Sequence, residues 1–153
     1  MLRFKKMLCP TDFSDPSYEA FKTASELALQ FSAELCLIHV IGPIPTAGAP
    51  GVAPPGFNVG VYQQGLEKSA QQDLQKVIDE KMPKELDVRA IVAHGDAANE
   101  IVRIADEEDA DIIIIATHGR TGWRHLVFGS VAERVVRYAT CPVLTVPAPK
   151  QEE

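Results

Sequence analysis

Continuous apolar runs alternate along this chain with segments whose apolar positions recur every third or fourth residue, the pattern of β-α-β units. Phe4 to Cys9 reads as a first strand, stopped by Pro10. Asp15 followed by Pro16 has the form of a helix cap with proline at the first helical position. The helix it opens runs to about Phe31 on a stripe of Ala20, Ala24, Leu27, Ala28 and Phe31. Leu35 to Ile41 is apolar enough for a strand covered on both faces. A long helix from about Val61 to Met82 follows, with Leu66, Ala70, Leu74, Val77 and Ile78 inward.

The rhythm then repeats. Val88 to Ala93 is a strand, Gly95 a turn, and Asp96 the cap of a helix that uses Ile101, Val102 and Ala105. The acidic run Glu107 to Asp109 ends that helix, and Ile112 to Ala116 is expected to be the most deeply buried strand. Ser130 to Tyr138 fits a helix with Val131, Val135 and Tyr138 on one side, and Pro142 to Val146 is the last strand. The predicted class is α/β: a single-domain, open, five-stranded parallel sheet, Rossmann-like, with right-handed crossovers placing helices on both faces. Residues 1–147 form the expected domain and 148–153 a frayed tail. Residues 42–60 hold five of the 11 prolines and five of the 10 glycines, a composition that holds no regular element. This loop leaves the C-terminal end of a strand, where open α/β sheets bind ligands, so it is either a lid or an inert surface loop.

Charge narrows the partners. The formal net charge of −6 argues against nucleic acid and against an anionic membrane surface, while leaving room for a local anion site. The longest aliphatic run, Ile112 to Ala116, is far too short to cross a bilayer, and Pro10, Thr11 and Asp12 arrive before any signal-like apolar region develops. Three cysteines without zinc-like or redox-pair spacing fit a reducing compartment, and the expected location is cytoplasmic. Cys9, Cys36 and Cys141 lie in or beside apolar runs and read as packing residues, the alternative being a redox role.

The most informative stretch follows the fourth strand. It contains Ala116, Thr117, His118, Gly119, Arg120, Thr121 and Gly122, and later Gly129 and Ser130 at the start of a helix. Glycines let backbone approach a ligand closely, and the free N–H groups of a helix start favour phosphate. Ser130 adds a hydroxyl and Arg120 a cation; the plainer reading is a tight turn with a serine cap. No Gly-x-x-x-x-Gly-Lys-Ser/Thr loop occurs, and no Gly-x-Gly-x-x-Gly follows the first strand. That strand ends instead in Cys9-Pro10-Thr11-Asp12, which would lie near the Gly119 loop if the first and fourth strands are neighbours. Val40, at the exit of the second strand, would then expose backbone groups able to read a base edge. Asp12 either accepts from a ribose hydroxyl or an amine, or caps the turn before the first helix.

These residues resemble the universal stress protein family over nearly the whole length. The strongest part is Gly119, nine residues, Gly129-Ser130, then Val131-Ala132-Glu133-Arg134-Val135 and Cys141-Pro142-Val143-Leu144-Thr145-Val146. Pro10-Thr11-Asp12-Phe13-Ser14 and Ala110-Asp111-Ile112-Ile113-Ile114 agree with it. ATP-binding members of the family carry a motif that looks like Gly-x-x-Gly, nine residues, Gly-Ser/Thr, and this chain has Ala116 where the first glycine would be. That extra methyl either crowds a nucleotide or points away from it. The resemblance implies strand order 3-2-1-4-5, an adenine nucleotide alpha hydrolase-like fold, and a cleft formed by the loops after strands one, two and four. It implies ATP, ADP or AMP as ligand, with Asp12 and the Val40 backbone at the adenosine end. Gly119, Gly129, Ser130 and the Val131 backbone would hold phosphates, with Ala116 close to the ribose. It implies a nucleotide-dependent regulator of the stress response, and a homodimer joined through the edge strand Val143, Leu144, Thr145 and Val146. The alternative there is a monomer whose tail shields that strand.

Catalysis has weaker support. Among His39, His94, His118 and His125 no His-x-x-x-His pair occurs, and no metal site is expected. His118, beside Gly119, is the one histidine expected to touch ligand, while His39 is expected to satisfy a ring nitrogen locally. No acid partner is spaced to make a general base, and no Gly-x-Ser-x-Gly elbow occurs. Slow ATP hydrolysis would need Mg2+ held jointly by Asp12 and the phosphate loop. Trp123, Leu126, Val127 and Phe128 are expected to pack on the sheet edge, or else to dock a client. The competing function is a nucleotide-independent interaction or scaffold protein.

Overall fold

The computed structural model describes residues 3–44, 56–118 and 128–149. Nine elements follow in the order β1 (Lys6–Pro10), α1 (Asp15–Phe31), β2 (Glu34–Ile41), α2 (Val59–Lys81), β3 (Val88–His94), α3 (Ala97–Glu107), β4 (Ile112–Ala116), α4 (Ser130–Tyr138) and β5 (Val143–Val146). The strands form one parallel sheet in the order β3-β2-β1-β4-β5. Strand order and helix placement are as the sequence implied.

Alternation along the buried strands divides the core in two. Met7, Cys9, Leu35, Leu37, Ile112 and Ile114 face α1 and α2, where they meet Phe21, Ala24, Leu74 and Val77. Leu8, Cys36, Ile38, Ile113 and Ile115 face α3 and α4, against Ile101, Ile104, Ala132 and Val135. β1 and β4 are sealed on both faces, which is why their sequences read as unbroken apolar runs. At the N-terminal end of the sheet Arg89 bonds the carboxylates of Glu34 and Glu108, and Lys6 joins Glu108.

Several local expectations shift. The cap of α1 is Ser14, which puts Asp15 and Pro16 inside the first turn. The second helix starts at Val59, capped by the Asn58 side chain on the Val61 N–H, so the Gly/Pro-rich segment ends sooner than expected; 45–55 lie outside the described residues. Ile104 joins the inner face of α3, and Asp96 caps that helix by accepting from the Asn99 N–H, as expected. Tyr138 is 58% exposed, because the inner positions of α4 are Ala132 and Val135. Phe31 lies half out at the end of α1, its ring meeting Phe4 edge to face. Among the described residues no helix is long and apolar enough to cross a membrane.

Candidate functional site

The sheet opens at its C-terminal end between β1 and β4, because β1 stops supplying hydrogen bonds there. Proline has no N–H, so Pro10 cannot bond to the Ile114 carbonyl, and the β1–β4 ladder ends with Leu8 and Ile113. This gap is also where the strand order reverses, the usual ligand position in open α/β sheets.

Beyond Pro10 the chain folds into two tight side-chain turns. The Phe13 N–H donates to Thr11 Oγ1 at 2.8 Å, and the Ser14 N–H to Asp12 Oδ1 at 3.0 Å. Ser14 Oγ also donates to Asp12 Oδ1. Ser17 Oγ gives its proton to the Ser14 carbonyl at 2.7 Å, which makes Thr11 Oγ1 the donor in its 3.1 Å bond to Ser17. Phe13 adopts a left-handed φ of 62°, uncommon for a bulky residue. Asp12 therefore does cap the turn before α1.

The end of β2 forms the adjoining wall. Even-numbered residues of this strand bond toward β1, as the Glu34 N–H to the Lys5 carbonyl and the Thr11 N–H to the Ile38 carbonyl show. Val40 is next in that series. Its N–H and C=O point into the space β1 has left, and no described residue bonds to either. His39 Nδ1 meets the Thr11 carbonyl at 2.9 Å, and a carbonyl only accepts, so Nδ1 carries the proton. The expected local partner of His39 is thus present, and the Phe13 ring packs against its imidazole in a tilted arrangement, 4.7 Å between centroids.

The third wall comes from β4 and α4. The Thr117 N–H continues the β5 ladder to the Val146 carbonyl, and the Gly129 N–H returns to the Thr117 carbonyl, so strand end and helix start are tied directly. Gly129, rather than Ser130, is the cap of α4, with φ −70°, and no side chain among the described residues caps the helix. Glycine offers no hydroxyl or carboxylate, so the first-turn N–H groups of Ser130 and Val131 receive no acceptor from the cap residue, and no side chain among the described residues supplies one. Thr117 Oγ1 bonds His118 Nδ1 at 2.9 Å. Ala116 keeps strand geometry and packs its side chain into the α1–α2 core, so its methyl is absorbed by packing.

A cavity of about 300 Å3 lies among these three walls. Pro10, Thr11, Asp12, Val40, Ala116, His118, Gly129, Ser130 and Val131, all singled out from the sequence, line it. Gly119, Arg120 and Gly122 lie outside the described residues, as do Trp123, Leu126 and Val127. The sequence reading did not place His39, Ser17, Ala97 or Ile101 on the cavity. His39 had a signal, since it precedes Val40 on the same strand; Ala97 and Ile101 had none, because only the fold brings α3 to this rim.

Chemistry elsewhere is muted. Among the described residues no three His, Cys, Asp or Glu side chains gather as metal ligands. Burial pushes the Cys9 thiol far above its ordinary range and Cys36 up to about 11. Cys141, half-buried, is also raised by burial. His94, at the end of β3, reaches Glu67 on α2 at 3.4 Å, while its Nδ1 is buried without a partner among the described residues.

The family model for the universal stress protein family matches residues 3–147. The chain belongs to the universal stress protein family. Universal stress protein MJ0531 of Methanocaldococcus jannaschii is 40% identical over 151 residues, spanning 97% of this chain and 85% of that protein. The solved structure of M. jannaschii MJ0577 superposes with a TM-score of 0.78 at 29% identity, over 97% of this chain and 99% of that one. Two more distant structures share the fold at 20% identity. One is a universal stress protein in complex with cAMP, with a TM-score of 0.66 over 96% of this chain and 99% of that one. The other is the Archaeoglobus fulgidus universal stress protein in complex with dAMP, with a TM-score of 0.59 over 95% of this chain and 98% of that one.

Proposed function

We propose that this universal stress protein binds an adenine nucleotide in the cavity between β1 and β4 and works as a nucleotide-dependent switch. One observation carries the reading: backbone groups of two chemical kinds face a single cavity without described partners. At one wall stand the N–H and C=O of Val40, a donor beside an acceptor, which matches the N1 and N6 edge of adenine. At another stand the first N–H groups of α4, where the helix dipole favours phosphate. The cavity volume lies at the small end of ligand pockets. The cAMP and dAMP held by distant family members carry the same adenine and phosphate groups.

ATP, ADP and AMP all satisfy this reading. Magnesium would enter with the phosphates, whose oxygens would hold it beside Asp12, since the described residues assemble no metal site of their own. Assembly belongs to the same proposal. β5 is a terminal strand, and Leu144 on it is 37% exposed, which favours a homodimer joined along Val143 to Val146.

Native mass spectrometry of freshly purified protein, followed by titration with ATP, ADP and AMP, tests the ligand. The expected result is saturable binding below millimolar concentration. No retained ligand and no saturable binding would overturn the proposal.

A further inference from the structure

Resting on the nucleotide reading, we propose that His39 is a positioning residue: by taking the Thr11 carbonyl, it ends the β1–β2 ladder and keeps the Val40 N–H and C=O open to a base. The parallel ladder runs on strict alternation, with Glu34 N–H to Lys5 C=O at one end and Thr11 N–H to Ile38 C=O at the other. The next rung in that register would take the Val40 N–H to the Thr11 carbonyl. The one after would take the Phe13 N–H to the Val40 carbonyl.

Both rungs are diverted. Thr11 C=O receives the His39 ring N–H at 2.9 Å. The Phe13 N–H turns to Thr11 Oγ1 at 2.8 Å, a turn that its left-handed φ makes reachable. Thr11 Oγ1 is itself held by Ser17, and Thr11 is buried, so the diversion is anchored in the core. Buried backbone groups almost always find a partner, and a Thr11 carbonyl without the imidazole would take the nearest N–H in register, that of Val40. The base-reading edge is thus kept available by a side chain that need not touch the base.

Amide hydrogen exchange of the unliganded protein reads the first consequence. The Val40 amide should exchange freely in the wild type and become protected in His39→Leu, whereas His39→Asn, whose amide N–H replaces Nδ1–H, should restore free exchange. Calorimetry with AMP and IMP reads the second. Preference for AMP should fall about tenfold in His39→Leu, the worth of one well-placed hydrogen bond, and return in His39→Asn. General loosening of the fold would weaken both nucleotides together and leave that ratio alone. If His39→Leu does not fold, His39→Val, favoured in strands, carries the same measurements. Unchanged Val40 exchange with an unchanged AMP:IMP ratio would overturn the role of His39 while leaving nucleotide binding intact. A wild type that binds no nucleotide, yet gains Val40 protection in the variant, would defeat the function proposed above and uphold the strand-ending role.

Discussion

Arg134 of α4 closes both terminal guanidinium nitrogens on the carboxylate of Asp96, at 3.0 and 2.8 Å, and so ties α4 to the residue that caps α3. One of those nitrogens also reaches Asn99 at 3.1 Å. The clamp fixes the angle between the two helices whose first residues rim the cavity. Arg134 first, and the Asn99 N–H second, hold the Asp96 carboxyl below the usual carboxylate range. A folded-state value lowered in this way contributes stability above the unfolded value, lost as pH falls through the folded one. Arg134→Met should therefore lower the melting temperature at neutral pH, with a gap to wild type that narrows toward about pH 3. A gap constant across that range would show that the fork contributes nothing through charge.

Gly129 and Ser130 act differently. The φ of −70° at Gly129 suits any residue, so Gly129→Leu should fold normally. Its side chain would nevertheless stand where a phosphate must approach the helix start, and nucleotide affinity should drop at least about tenfold. Ser130→Ala keeps every backbone N–H and removes only a hydroxyl, a loss of roughly 0.5 to 1.5 kcal/mol in binding. Calorimetry on the two variants measures both effects. Full affinity in a folded Gly129→Leu would place the ligand elsewhere.

The three cysteines should be separable by alkylation. The thiolate is the reacting form, and burial raises all three thiols, Cys9 and Cys36 with almost no solvent contact. Mass spectrometry after iodoacetamide at mildly alkaline pH should show slow labelling of Cys141 alone, and labelling of all three in denaturant. Rapid modification of native Cys36 would contradict the packing.

Assembly can be tested without disturbing the sheet. The Ile113 N–H bonds the Pro142 carbonyl and the Thr117 N–H the Val146 carbonyl, so alternation turns Val143 and Thr145 outward from β4. Thr145→Pro removes an outward N–H and leaves the inner ladder whole. Sedimentation should show wild type as a dimer and the variant as a monomer at tens of micromolar. A monomeric wild type would refute the homodimer, and a dimeric variant would move the interface.

Much of this fold is legible in the sequence. Ile112 to Ala116 announced a strand buried on both faces, and Asp96 announced its helix, because both signals are local. Pro10, Val40 and Gly129 stand out in the sequence as candidates, at two strand ends and a helix start, and the structure places all three on the cavity. What escaped depended on third parties. Periodicity alone puts Tyr138 on the inner face of α4, whereas the packed sheet receives Ala132 and Val135 and leaves Tyr138 outside. His39 looked self-contained because its importance lies in the bond it prevents.

Pro10 has a mechanical consequence. A sheet is stitched rung by rung, and here the seam between β1 and β4 lacks its upper stitch while the lower ones hold. The molecule is therefore two leaves, β3-β2-β1 and β4-β5, bound at the spine and unfastened at the fore-edge. A nucleotide held by Val40 on one leaf and by the start of α4 on the other would supply the fastening that proline withholds. Filling the site would then change how firmly the leaves are joined, and the leaf that ends in β5 would carry that change to the outer edge of the sheet.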